Sequence, residues 1–163
     1  MILSIPDKQR IVSEVREIAR VAVSAVLADP SGLKNNELVE LRQESRKKNV
    51  YIRVIRNSLL SKIVHETSFE CLKDFFSGPT LIGFSVREAS DVARLFQDFS
   101  KLHENFKIKV AVFEKNIIDA SHIDILSSLP TYLEGITRLI FFIKESTIVK
   151  LIRVLSLIAE QKK

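Results

Sequence analysis

Four short runs rich in β-branched residues, at 21–28, 50–56, 80–84 and 106–114, are separated by stretches whose apolar residues return every three or four positions. That order admits few folds, because strands divided by helices must pair through crossovers rather than as consecutive hairpins. The run 21–28 is short and Val-rich, as a buried strand is, and Asp29-Pro30-Ser31-Gly32 closes it with Pro and Gly where a type I turn accepts them. Asn36 then caps a helix with Leu38, Val39 and Leu41 inward. After the strand 50–56, Asn57 is placed to cap a helix over 58–65, and Thr67 with Glu70 caps a shorter one reaching Phe76. Gly78-Pro79 leads into the strand 80–84, Ser85 with Glu88 caps a helix to about His103, and 106–114 is the fourth strand. Taken in order, this is β-α-β, an inserted helical pair, then β-α-β. The expectation is an α+β fold of the ferredoxin-like, split βαβ kind: one mixed sheet with helices packed on one face and right-handed crossovers.

Helices flank this unit. The first begins at a capping box, Ser4 with Asp7, and runs to about Arg20; Ile11, Val12, Val15, Ile18 and Ala19 form its inner stripe, while Lys8, Arg16 and Arg20 share an outer one. Two more helices follow Ser121/Asp124 and Thr131/Glu134. The chain has 163 residues, long enough for a self-sufficient core. The expected organisation is a globular domain over 1–130 and a helical extension over 131–163.

Charge is not spread evenly. Between residues 42 and 57, Arg42, Arg46, Lys47, Lys48, Arg53 and Arg56 face one acid, Glu44, and this local excess of +5 equals the formal net charge of the whole chain. Arg42 and Arg46 form an i, i+4 pair on the outer face of their helix. For Lys47 and Lys48 alone a solvated helix end suffices as an explanation. It explains Arg53 and Arg56 poorly, since they sit in a β-branched run that should be partly buried, and a concentrated positive field on a helix-to-strand unit suits a phosphate backbone. Arg42, Arg46, Arg53 and Arg56 are therefore the candidate phosphate contacts. Lys8 from the first helix, Lys34 beside the Gly32 turn, and the helix start at Asn57 are supporting members.

Residues for catalysis or cofactors are missing from the pattern. Four glycines leave no room for a phosphate-cradling glycine motif, His65, His103 and His122 lie far apart, and no paired Cys/His spacing suggests zinc. No catalytic residue, metal ligand or cofactor site is expected. The lone Cys71 excludes an internal disulfide, and Phe69, Leu72, Phe75 and Phe76 around it predict a small buried hydrophobe. The segment Met1-Ile2-Leu3-Ser4-Ile5-Pro6-Asp7 lacks the features of a signal peptide, and the longest apolar runs are too short to span a bilayer, so a cytosolic protein is expected.

From Thr147 to Lys163 the periodicity predicts a helix whose apolar arc covers more than half its circumference. Ile148, Leu151, Ile152, Leu155, Ile158 and Ala159 form one face, widened by Val149, Val154 and Leu157. So apolar a helix needs contacts on several sides, which points to partner helices, with Leu151 and Ile152 serving an inner site and Leu155 and Ile158 an outer one. A last helix tucked into the core is the alternative; membrane-surface binding fits less well, because the polar residues are few and not strongly basic.

Several segments in order carry a resemblance: Asp7-Lys8-Gln9 with Ile11-Val12-Ser13-Glu14-Val15; Ala28-Asp29-Pro30-Ser31-Gly32; Leu41-Arg42; and Val50-Tyr51-Ile52-Arg53-Val54-Ile55-Arg56-Asn57-Ser58-Leu59-Leu60. Phe69-Glu70-Cys71-Leu72-Lys73-Asp74, Gly78-Pro79-Thr80-Leu81-Ile82, Ala93-Arg94-Leu95-Phe96 and Leu129-Pro130-Thr131-Tyr132 continue it. In this order the chain resembles the bacterial large-subunit ribosomal protein ten family. The resemblance implies an N-terminal domain bound to a bent helical junction of large-subunit ribosomal RNA, beside a neighbouring large-subunit protein at the stalk base. It implies a C-terminal helix, about 147–163, that carries dimers of the acidic ribosomal stalk protein and so supports recruitment of translation factors. It also implies repression of translation of the protein's own messenger through a similar RNA fold. Members are often alanine- and glycine-rich near Lys150, whereas Ile148-Val149 precede it here. That argues against a flexible joint, and the slightly short tail argues for two dimers at most. The competing class is a non-ribosomal regulatory adaptor whose C-terminal amphipathic helix binds a helical partner or membrane surface.

Overall fold

A computed structural model describes residues 4–65, 67–103, 105–145 and 150–161. Met1, Ile2 and Leu3 of the N-terminal segment, and Thr147, Ile148, Val149, Lys162 and Lys163 of the expected tail helix, lie outside the described residues. Backbone contacts divide the chain into two compact units, Met1–Leu129 and Pro130–Lys163.

The first unit runs α1 (Ile5–Val21), β1 (Ser24–Asp29), α2 (Asn35–Lys47), β2 (Val50–Val54), α3 (Asn57–Val64), a 3-10 turn (Glu70–Phe75), β3 (Leu81–Ser85), α4 (Ser90–Leu102), β4 (Lys107–Phe113), β5 (Asn116–Asp119), a second 3-10 turn (Ala120–His122) and α5 (Ile123–Ser127). The strands form one sheet in the order β2-β3-β1-β4-β5. Each βαβ unit is split by a strand of the other: β3 lies between the parallel β1 and β2, and β1 between the parallel β3 and β4. This corrects the expected mixed sheet, since interleaving makes every hydrogen-bonded neighbour antiparallel. The fold remains α+β.

A fifth strand was not expected. It is joined to β4 through Glu114 and Lys115, both at positive φ, a turn normally built from Asn-Gly rather than two long charged residues.

Helices cover both faces of the sheet rather than one. Ala25 and Leu27 of β1 pack with α1, α3 and the first 3-10 turn, through Val15, Leu60, Ile63 and Phe69. Val26 and Ala28 pack oppositely with α2, α4 and α5, through Leu41, Phe96 and Leu126. Strand alternation sends successive side chains of β1 to the two cores, so all four of these residues are fully buried. The second face is tight at Gly83 of β3: a Cβ there would lie 2.8 Å from Phe96 Cζ and 2.9 Å from a Val92 methyl, so only glycine lets α4 approach.

Local chemistry sets the ends. The Asp7 carboxylate accepts from the Ser4 N–H at 3.3 Å, as expected for a capping box before α1. At α2 the cap is Lys34 rather than Asn36, with its N–H donating to the Glu37 carboxylate at 2.9 Å. Ser85 does not cap α4; its hydroxyl donates to the Glu88 carbonyl, and the helix starts at Ser90. Cys71 is exposed rather than buried, because the 3-10 turn directs Leu72 inward instead.

The second unit contains α6 (Tyr132–Lys144) and α7 (Lys150–Gln161). Thr131 and Glu134 complete the expected capping box at α6, with the Glu134 N–H donating to Thr131 Oγ1 at 3.3 Å and the Thr131 N–H donating to Glu134 Oε2 at 3.2 Å.

Candidate nucleic-acid interface

Register fixes where the basic residues lie. Ala28 of β1 and Val54 of β2 both pair with Leu81, so these two strands end at the same end of the sheet. The Gly32 turn and Lys34 follow β1 there, and Arg56 and Asn57 follow β2, two strand spacings or about 10 Å across. Gly32 has a φ of +86°, where a side chain is disfavoured, and an added Cβ would press on Asn105 at 3.3 Å. Helix α2 leaves from this end and returns to the start of β2. Arg46, near its far end, is therefore about 18 Å along the axis from Lys34, and Arg42 lies between them. The fold thus brings Gly32, Lys34, Arg56 and Asn57 to one end and draws Arg42 and Arg46 away along the β2 flank.

Arg53 is on the α1 face of the sheet. Its guanidinium donates to the Tyr51 hydroxyl at 3.1 Å and to Glu14 of α1 at 3.4 Å. The Tyr51 hydrogen bond first, and the Glu14 carboxylate after it, hold the Arg53 pKa above its ordinary value. The partial burial expected of this residue is present, and so is a protein acid that sequence spacing did not indicate. Arg56 is exposed at the cap of α3.

Asn57 was expected to cap α3 with its side chain; it is instead the first helical residue. Its amide donates to the carbonyls of Phe76 at 3.1 Å and Gly78 at 2.9 Å. Lys109 of β4 holds the same loop from the other side, donating to the Ser77 carbonyl and to Pro79 O at 2.9 Å, and pairing with Asp29 at 3.6 Å. Burial pushes the Asp29 carboxyl up, but hydrogen bonds from Ser31 and the Lys109 charge outweigh it, and the net direction is downward.

Lys8 does not join the β2 group. It lines a groove of about 650 Å³ on α1 and α3 together with Arg16, Arg20 and Lys62. Arg16 donates to the Lys62 carbonyl at 2.6 Å, tying α1 to the last turn of α3. Its Nε is the one buried side-chain nitrogen or oxygen without a hydrogen-bond partner among the described residues. Lys62 was missed from sequence; the i, i+4 series Lys8, Val12, Arg16, Arg20 marks the α1 side, but nothing in α3 announces its neighbour.

On α7, Leu151, Ile152, Leu155 and Ile158 are 63%, 57%, 57% and 48% exposed. They fall at helical spacing on one face. Ala159, also expected there, lies outside the residues whose side chains are described. Among the described residues no group of three or more His, Cys, Asp or Glu side chains is placed to hold a metal, and no helix is long and apolar enough to cross a membrane.

A family model described as Ribosomal protein L10 matches residues 4–101. The chain is 48% identical over 162 residues to the large ribosomal subunit protein uL10 of Enterobacter sp. (strain 638), covering 99% of this chain and 98% of that protein. It is 49% identical, with the same coverage, to the proteins of that name from Sodalis glossinidius (strain morsitans) and Serratia proteamaculans (strain 568).

Proposed function

The chain belongs to the ribosomal protein L10 family, a structural and non-enzymatic family of the large ribosomal subunit, and from that premise we propose a division of labour along it. Residues 1–130 bind large-subunit ribosomal RNA at a bent helical junction, next to another large-subunit protein at the stalk base. Residues 131–163 carry dimers of the acidic stalk protein on α7 and so support translation-factor recruitment. The same RNA-binding surface represses translation of the protein's own messenger. As a ribosomal protein of a bacterial family it works in the cytoplasm.

The observation that carries this reading is the contrast between the charge excess concentrated over residues 42–57 and a last helix that keeps its apolar side chains in solvent. Arg42, Arg46, Arg53 and Arg56 are the proposed backbone contacts, supported by Lys8, Gly32, Lys34 and Asn57. Duplex RNA offers its shape and phosphates more readily than base edges, which suits arginines on a helix, a strand and a helix cap. Arg53 exchanges Glu14 for a phosphate on binding.

The test is titration of the full chain with a transcript of the RNA junction at several salt concentrations. The Arg53→Ala, Arg56→Ala double variant should bind more weakly, with a salt slope flatter by somewhat under two. Unchanged affinity and slope in a folded double variant remove the assignment.

A further inference from the structure

We infer that the groove between α1 and α3 is a second phosphate-binding surface, one that takes an RNA backbone strand on the face of the sheet opposite α2; this rests on the RNA-binding reading above. Among the described residues four cations line it, Lys8, Arg16, Arg20 and Lys62, against a single acid, Glu17. Three of them lie on one i, i+4 series of α1, so the positive stripe extends about 18 Å, longer than the spacing of successive phosphates along a strand.

Arg16 supplies the second, independent observation. Its Nη2 is committed to the Lys62 carbonyl at 2.6 Å, which fixes the guanidinium between the two helices. Its buried Nε has no acceptor. A charged group's buried N–H is ordinarily paired, and an anionic oxygen entering beside a fixed guanidinium supplies what the protein does not. Pre-organisation matters here, because an arginine already held in place gives up little rotamer freedom on binding.

The rest of the lining says which part of RNA is read. Ile5, Val12 and Leu59 form an apolar wall, and among the described residues no aromatic ring lines the groove for base stacking. Recognition is therefore of the sugar-phosphate strand, without sequence readout.

The experiment uses the full chain and the large-subunit junction transcript. Arg20 and Lys62 have exposed side chains, so an Arg20→Glu, Lys62→Glu variant should fold. At about 0.1 M salt it should bind roughly tenfold or more weakly, with a slope flatter by somewhat under two. If that variant loses its melting transition, Arg20→Gln and Lys62→Gln taken singly carry the same test, each flattening the slope by just under one. The Nε–H resonance of Arg16 should shift on RNA addition in the wild-type chain, a change that a purely structural arginine would not make. Wild-type affinity and slope in the groove variants, with a still Arg16 resonance, overturn the inference while leaving the β2 flank in place. A wild-type chain that ignores the transcript overturns the RNA reading itself. Binding of the wild-type chain to anionic phosphatidylserine vesicles, lost in the groove variants while RNA binding is kept, assigns the groove to lipid and overturns the inference too.

Discussion

Helices α4 and α7 are of nearly equal length and both carry an apolar stripe at helical spacing, yet the two stripes meet opposite fates. In α4, Val92, Leu95, Phe96 and Phe99 are at most 3% exposed, pressed on the sheet and on Phe106. In α7 every large hydrophobic side chain described is about half exposed or more. Apolar periodicity therefore states that a helix has something to bury, not where the burying surface is found. For α4 it is the same chain; for α7 the proposed surface is another protein.

The comparison can be broken most forcefully in α4. Phe96 is fully buried, with its ring 5.3 Å from Phe106 in an edge-to-face pair. Phe96→Ala should cost about 3–5 kcal/mol of stability in chemical denaturation. Leu155→Ala in α7 should leave that transition within about 0.5 kcal/mol, because nothing is uncovered. An equal loss from the two changes would mean the stripes are not different in kind.

Next in size is the partner side. Leu155→Asp with Ile158→Asp would place charge in an apolar seat. Native mass spectrometry should show the stalk protein falling from two dimers to one, while RNA affinity stays at the wild-type value. Full occupancy, or joint loss of both activities, ends the two-part reading. A smaller effect is expected from truncation after Pro130: circular dichroism should retain a cooperative transition and RNA binding should persist, and an unfolded fragment would return the last helices to the core.

The smallest concerns Asp29. Its carboxyl pKa is lowered in the folded protein, so its contribution is present above about 3.8 and is lost as pH falls through the folded value. Asp29→Asn should weaken the protein slightly at neutral pH, and the difference should vanish in acid. A gap that persists unchanged at low pH would point to packing rather than charge.

Much of this contrast is legible in the sequence. The four expected strands and the capping boxes at Ser4 and Thr131 follow from short-range signals, which sequence carries directly. What escaped depends on partners far along the chain. β5 was hidden because Glu114-Lys115 does not look like a tight turn, although antiparallel pairing holds both residues at positive φ. Asn57 looks like a cap, but two carbonyls nearly twenty or more residues away claim its amide. At the candidate interface, the charge excess over 42–57 was plain, but α2 spreads it along a flank; the link from Arg16 to the Lys62 carbonyl spans 46 residues and leaves no local trace.

The central position of β1 bears on how the protein is made. It is synthesised well before its partner, since one of its edges pairs with β4, and Ser24 meets Phe113 roughly 90 residues later. At about 5–20 residues per second, that edge waits on the order of 4–18 s after it emerges. Throughout that interval Ala25, Val26, Leu27 and Ala28, all fully buried in the finished fold, lack that partner, and an unpaired apolar edge is one that recruits foreign strands. A topology that holds its central strand open for so long sets a premium on prompt escort between the emergence of residue 29 and that of residue 113.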